Sequence, residues 1–134
     1  MSSRVGLRSP LYCTGVGKAI LATLPGDELE DIWTHSNVQK LTDRTITDLE
    51  ELRSQLVEVR ANGYAIENGE YKIGLRSVSA PVYTVEGKAA YAVGVIGMFR
   101  SPHSEEFRAA VEQVCVTASM ISTALGYRKQ EETL

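Results

Sequence analysis

The sequence has few of the residues that build metal centres and disulfide frameworks. Its 134 residues include two cysteines and two histidines. Cys13 and Cys115 lie far apart, and neither belongs to a Cys-x-x-Cys or Cys/His spacing of the kind found in zinc sites. We therefore expect reduced, mostly buried thiols, no metal ion and no cofactor.

Long apolar segments are lacking as well. The sequence contains no run of about 18 apolar residues, which a membrane-spanning helix would require. Its first residues, MSSRVGLRSP, do not contain the apolar core of a secretion signal. We therefore expect a cytoplasmic protein.

Neither sign of charge is in large excess. Lys and Arg together number 14 against 17 Asp and Glu, which gives a formal net charge of −3. Binding to a phosphate backbone needs a basic surface, so this chain alone is not expected to bind DNA. The length suits a single core, and we expect one domain over residues 1–134 with a frayed charged tail over 128–134.

Hydrophobic spacing predicts two helices in the first third of the chain. The first is expected over residues 15–24 behind an N-cap at Thr14. Pro25 and Gly26 then break it and start the second helix, whose apolar residues Leu29 and Ile32 recur at helical spacing.

Two further helices are predicted from capping signals and apolar stripes. Thr47-x-x-Glu50 has the form of a capping box, and Gly63 closes the helix that it opens. The last helix is expected to begin at Ser101, with proline following, and to end at Gly126. Its predicted apolar stripe consists of Phe107, Val111, Val114, Ala118, Ile121 and Leu125.

The middle of the chain predicts strands. A short strand is expected over residues 64–67, and residues 77–84 and 89–98 form a predicted hairpin around Glu86-Gly87. A two-residue turn there places Ser77 opposite Ile96 and Ser79 opposite Gly94. Because side chains alternate along a strand, these four residues share one face, whose small side chains leave room for a ligand or a close-packed partner.

Two glycines at the start of the first helix suggest a backbone anion site. Gly15, Val16 and Gly17 would present unobstructed N–H groups at the positive end of a helix. The other interpretation is a tight turn that simply tolerates glycine. The spacing matches neither a Walker motif nor Gly-x-Gly-x-x-Gly, so a small carboxylate fits better than a nucleotide.

No catalytic constellation is found in the sequence. Glu67 and Glu70 lie three residues apart across a predicted Asn-Gly turn and have no fixed mutual geometry, and solvated loop carboxylates are the commoner case. His35 and His103 have no neighbouring nucleophile or ligand. Cys13 precedes a helix start that could lower its pKa, yet no paired base is evident. We therefore do not expect an enzyme.

The order of several motifs resembles a known family. Together they resemble the C-terminal effector-binding domain of IclR-type bacterial transcriptional regulators, over nearly the whole chain. The segments that carry the resemblance are 10–19 (PLYCTGVGKA), 41–47 (LTDRTIT), 60–64 (RANGY), 74–82 (GLRSVSAPV) and 91–95 (YAVGV).

The resemblance implies an α+β, GAF-like domain, with an antiparallel sheet flanked by helices on both faces. Such a domain senses a small metabolite and controls DNA binding through an N-terminal winged helix-turn-helix, which we expect to be missing from these 134 residues. The opening helix and strands of the family's domain are also expected to be missing. Family members form dimers that assemble into tetramers, so we expect a homodimer or homotetramer.

The resemblance also implies a site. The ligand carboxylate would bind the amides of Gly15, Val16 and Gly17, while Glu67 and Ser77 would hydrogen-bond ligand oxygens. Ser79 would lie beside Ser77 on the same face of the hairpin.

Two family serines correspond here to Gly94 and Ile96, which is a departure from the pattern. Each lost hydrogen bond should cost a compact, oxygen-rich ligand about 0.5–1.5 kcal/mol, while glycine opens space and isoleucine adds an apolar wall. We therefore favour a larger or more apolar carboxylate, such as an aromatic one, over glyoxylate or pyruvate. Two alternatives stay open: an oligomerisation module without a ligand, and a small enzyme using Cys13 or Glu67.

Overall fold

Four helices and three strands follow one another along residues 5–129, the part of the chain that the computed structural model describes. The predicted tail at 128–134 lies almost entirely outside these residues. The elements are α1 (Gly15–Leu21), α2 (Gly26–His35), α3 (Leu49–Asn62), β1 (Ala65–Asn68), β2 (Arg76–Tyr83), β3 (Ala89–Gly97) and α4 (Glu105–Ala124).

The strands form one antiparallel sheet in the order β1-β2-β3. Helix α4 covers one face of it, where Val78, Ala80 and Val82 pack with Phe107 and Val114. Helix α1 lies against β2 and β3 on the other face and is backed by α3. The predicted α+β class with helices on both faces is therefore confirmed.

The register of the β2–β3 hairpin is the predicted one over most of its length. Ser77 lies opposite Ile96, and the pairing continues in step to Val82 opposite Tyr91. Side-chain alternation then gives β2 one apolar face under α4 and one face of small residues under α1. This second face becomes a wall of the candidate site.

The turn of the hairpin differs from the prediction. The Thr84 N–H donates to the Lys88 carbonyl at 2.9 Å and closes a three-residue loop, in which Gly87 has a φ of +80°. A left-handed residue at this position is typical of three-residue hairpin loops. The unpaired Ala90 then forms a bulge opposite the Val82–Tyr83 step and restores the predicted register.

Two helices begin later than predicted. The Asp48 carboxylate, one residue after Thr47, accepts the Glu51 N–H at 3.2 Å and caps α3. Ser104, three residues after Ser101, caps α4 with its hydroxyl. Both capping residues have extended backbone, as an N-cap requires. The prediction failed because the neighbourhood of each cap offers several capping side chains.

The predicted apolar stripe of α4 is wrong in its last turns. Ile121 and Leu125 remain 39% and 44% exposed, whereas Ser122 is buried. The Ser122 hydroxyl donates to the Ala118 carbonyl at 2.8 Å and accepts the Tyr83 N–H at 2.9 Å. A polar residue is therefore buried where the sheet needs an acceptor.

None of the helices within residues 5–129 is both long enough and apolar enough to cross a lipid bilayer.

Candidate functional site

A cavity of about 350 Å³ lies between the start of α1, the β1–β2 loop and the small-residue face of the hairpin. We call it the α1–sheet cavity. Among the predicted site residues it is lined by Gly15, Val16, Glu67, Ser77, Ser79, Gly94 and Ile96. Lining residues that the sequence reasoning did not identify are Leu7, Ser9, Thr14, Tyr71, Lys72 and Leu75.

Gly17 does not line this cavity, and its amide is not free. Its N–H donates to the Thr14 hydroxyl at 3.2 Å, and that hydroxyl donates in turn to the Pro10 carbonyl at 2.6 Å. The prediction that Gly17 offers a ligand-binding amide is therefore wrong, because the N-cap of α1 already uses it. The N–H groups of Gly15 and Val16 have no acceptor among the described residues.

Packing explains why the start of α1 contains glycines. A Cβ on Gly17 would lie 2.2 Å from the backbone oxygen of Leu11, and one on Gly15 would lie 2.6 Å from the Ser77 hydroxyl oxygen. Both approaches are shorter than any van der Waals contact. At Gly17 the glycine is required by the chain's own backbone, whereas a Cβ at Gly15 would have to displace the Ser77 and Ser79 hydroxyls.

Gly94 does not open additional space either. A Cβ there would lie 2.3 Å from the Ser79 hydroxyl oxygen, so the Ser79 side chain already occupies the volume beside Gly94. The predicted gain of room at this position is therefore wrong. Ile96, which is 54% exposed, contributes an apolar wall where the cavity meets solvent.

Glu67 is buried in the cavity wall, with only 4% of its surface exposed. Its Oε1 accepts the N–H groups of Glu70 at 2.8 Å and Tyr71 at 3.0 Å, and its Oε2 accepts the Ser77 hydroxyl at 3.2 Å. The expectation of a solvated loop carboxylate is therefore wrong. An ionised carboxylate only accepts hydrogen bonds, so any ligand group that binds Glu67 must donate.

A buried ion pair lies next to this carboxylate. Lys18 is fully buried, and its ammonium donates to Glu70 Oε2 and to Gln55 Oε1. Burial lowers the pKa of Lys18 and raises the pKa of Glu70, and the attraction between the two groups offsets part of both effects. The pair ties the loop after β1 to α1 and α3.

The sequence reasoning missed Lys18 as a buried residue. One signal was present: Lys18 lies three residues before Leu21, on the inner face of an otherwise apolar helix. A lysine on such a face needs a buried acceptor. Its acceptor, Glu70, is 52 positions away in sequence, which no local pattern indicates.

The remaining candidates for chemistry are the two cysteines and the two histidines. Burial and the nearby Glu70 carboxylate raise the pKa of Cys13 to about 11, so the expectation of a lowered pKa is wrong. Burial also raises the pKa of Cys115. His35 and His103 are exposed, and no cluster of potential metal ligands is found within residues 5–129.

The geometry suits binding better than catalysis. Two backbone N–H groups without acceptors, those of Gly15 and Val16, lie at one side of the cavity, and the Lys72 side chain also lines it. The Glu67 carboxylate supplies an acceptor, and Ile96 lies on the apolar part of the wall. A small molecule with an anionic end and a hydroxyl or amide donor fits these groups.

Comparison with known proteins places the chain in a family. Residues 1–123 match the family model described as "Bacterial transcriptional regulator IclR C-terminal". The chain is 37% identical over 132 residues to the HTH-type transcriptional repressor AllR of Klebsiella pneumoniae, covering 98% of this chain and 48% of that protein. The chain thus spans about half the length of this curated relative.

Solved structures give the same result. The Thermotoga maritima IclR crystal structure superposes with a TM-score of 0.88 at 33% identity, covering 95% of this chain and 51% of that one. The C-terminal domain of Escherichia coli KdgR gives a TM-score of 0.84 at 33% identity, covering 91% of this chain and 74% of that one. These relatives are named as transcriptional regulators, so a regulatory domain is supported over an enzyme. The chain belongs to the IclR family of bacterial transcriptional regulators and corresponds to their C-terminal domain.

Proposed function

We propose that this domain senses a small carboxylate metabolite in the α1–sheet cavity and thereby regulates DNA binding by a transcriptional regulator. The proposal rests on one observation. The same cavity is lined by the unused amides of Gly15 and Val16 and by the buried Glu67 carboxylate. Membership of a family of regulators supports it. Because its target is DNA, we place the protein in the bacterial cytoplasm.

The cavity also favours a class of ligand. The ligand carboxylate would accept from the Gly15 and Val16 amides, and a hydroxyl or amide on the ligand would donate to Glu67. Leu75 and Ile96 would contact an apolar part of the molecule. We therefore propose a carboxylate with a donor group and an apolar body, larger than glyoxylate or pyruvate.

DNA contact would come through a winged helix-turn-helix outside this chain. The ligand would act by binding one arrangement of the domains better than another, which shifts the spacing of the DNA-binding elements. The size of this shift is limited by the difference in ligand affinity between the two arrangements.

The proposal is tested by screening the 134-residue chain against cellular carboxylates by thermal shift, and by measuring the affinity of each hit by calorimetry. A ligand that binds only the native state raises the melting temperature. Val16→Asp should weaken carboxylate binding by roughly tenfold or more through charge repulsion. An aspartate in the first turn of a helix stabilises it, so the fold should persist.

Val57→Asp is the matched control, since Val57 is 61% exposed on α3 and lies away from the cavity. Its carboxylate affinity should equal that of the wild type. Glu67→Gln should retain carboxylate binding but lose selectivity for ligands that carry a donor. Equal binding by wild type and Val16→Asp would remove the assignment of the cavity.

A second role is favoured by one observation. Strand β3 has no neighbour on its outer edge within residues 5–129, and Tyr91 and Val95 on it are 60% and 40% exposed. We propose that this surface takes part in forming a homodimer or homotetramer. The small-residue face itself is covered by α1 of the same chain, which disfavours a subunit contact there.

A further inference from the structure

A second cavity, of about 360 Å³, lies at the end of the sheet where β1 and β3 finish and β2 begins. We call it the arginine cleft, because Arg44, Arg76 and Arg100 all line it. Asp43 is the one carboxylate in the lining. With three positive charges against one negative charge, the cleft carries a net charge of +2.

These charges are not neutralised by ion pairs within residues 5–129. Within the described residues no carboxylate lies within ion-pair distance of any of the three arginines; the ion pairs found there involve Lys18, His35 and Arg53. Arginines that are not paired in a concave site attract anions. The surface of this chain is otherwise acidic overall, with a formal net charge of −3, so the cleft is a local exception.

Arg76 is held in place and has an unused donor. Its Nη1 donates to the Phe99 carbonyl at 3.1 Å, which fixes the guanidinium. Its Nε–H is buried and has no acceptor among residues 5–129. Proteins seldom leave a buried donor unpaired, so an acceptor bound beside Arg76 could satisfy this N–H.

We propose that the arginine cleft binds the phosphate group of a small phosphorylated molecule. A phosphate monoester carries a charge between about −1.5 and −2 at neutral pH, which matches the cleft. Guanidinium groups bind phosphate through paired N–H donors. The side chains of Ile73 and Phe99 line the same cleft and offer apolar contact to the organic part of the ligand.

The cleft and the α1–sheet cavity share no lining residue, but both are lined by residues of one segment, 67–77. Glu67, Lys72 and Ser77 line the α1–sheet cavity, whereas Gly69 and Arg76 line the cleft. The β1–β2 loop is thus a common wall. A phosphorylated ligand in the cleft is therefore placed to act as a second signal on the same domain.

The test measures the melting temperature of the 134-residue chain against inorganic phosphate and phenyl phosphate, with ionic strength held constant by sodium chloride. Both should raise it saturably, and phenyl phosphate should bind more tightly because of Ile73 and Phe99. Arg44→Gln/Arg100→Gln should weaken phosphate affinity by roughly tenfold or more. Both arginines are exposed, so the fold should not depend on them.

Arg128→Gln/Lys129→Gln is the matched control, because it removes two positive charges from exposed positions beyond α4. It should leave phosphate affinity unchanged, as should Val16→Asp, which separates this site from the α1–sheet cavity. The proposal is overturned if phosphate gives no saturable shift, or if the Arg44/Arg100 variant responds like the wild type. Self-association that depends on Arg44 and Arg100 without any phosphate response would also overturn it, in favour of a carboxylate from a second copy.

Discussion

The chain's own backbone leaves no room for a side chain at Gly17. Gly17→Ala should lower the free energy of unfolding by about 1–3 kcal/mol, toward the upper end of that range, because its Cβ would meet the Leu11 backbone at 2.2 Å and backbone cannot move aside cheaply. Urea unfolding followed by circular dichroism measures this. Gly26→Ala is the control: its Cβ would meet only the flexible end of Arg53, at 3.4 Å, and stability should stay within about 1 kcal/mol of the wild type. An equal loss in both variants would contradict the packing argument.

The Lys18–Glu70 pair should contribute little to the free energy of unfolding, whereas removing only one of the two side chains should lower it strongly. Lys18→Met or Glu70→Leu alone should destabilise the domain by about 3–5 kcal/mol, because each leaves a buried ionisable group without its partner. The double variant should cost far less than the sum of the two. A double-mutant cycle by chemical unfolding measures the coupling, and additive losses would show that the two groups do not depend on each other.

At the scale of residues, the sequence predicted which backbone and side-chain groups line the cavity better than it predicted their chemistry. Gly15 and Ser77 were found because they belong to local motifs, and Ile96 was found because the predicted hairpin register places it opposite Ser77. The burial of Glu67 and Glu70 was not predicted, because it depends on donors in the loop and on Lys18, which lies 52 residues before Glu70. Burial of a charge is a long-range property that spacing along the chain does not encode.

Ser122 joins helix α4 to the end of β2, opposite the bulge at Ala90 of β3. Ser122→Ala should cost about 1–3 kcal/mol, because the Tyr83 N–H loses its acceptor in a partly buried position. Ser119→Ala on the same helix is the control, since Ser119 is exposed and should be nearly neutral. Thermal unfolding compares the two variants. If Ser122→Ala left the stability unchanged, water or another group would have to accept the Tyr83 N–H in place of the serine hydroxyl.

At the scale of elements, prediction succeeded where several signals agreed and failed at boundaries. The hairpin register was correct although the turn was not, because the bulge at Ala90 compensates for the longer loop. The alternation of valines and serines along β2 requires this register, whereas the turn has several acceptable forms. Similarly, α3 and α4 were found but their caps were not, because Thr47 and Asp48 are both good capping residues.

The whole molecule leaves apolar surface uncovered on β3 and α4. Tyr91 and Met120 are 60% and 67% exposed, which suits a contact between subunits. Sedimentation velocity should show concentration-dependent self-association of the wild type, and Tyr91→Lys/Met120→Lys should reduce it. Val57→Lys, on the exposed side of α3, should not. A chain that stays monomeric at every concentration would contradict this role of the surface.

The alternation of side chains along β2 links two properties of this molecule that could otherwise fail separately. If the hairpin slipped by a single residue, the serines would turn toward α4 and the valines toward α1. The hydrophobic interior and the wall of the α1–sheet cavity would then be lost in the same error. Such a slip therefore cannot produce a misfolded copy that keeps an intact interior but has a disrupted cavity wall, or the reverse.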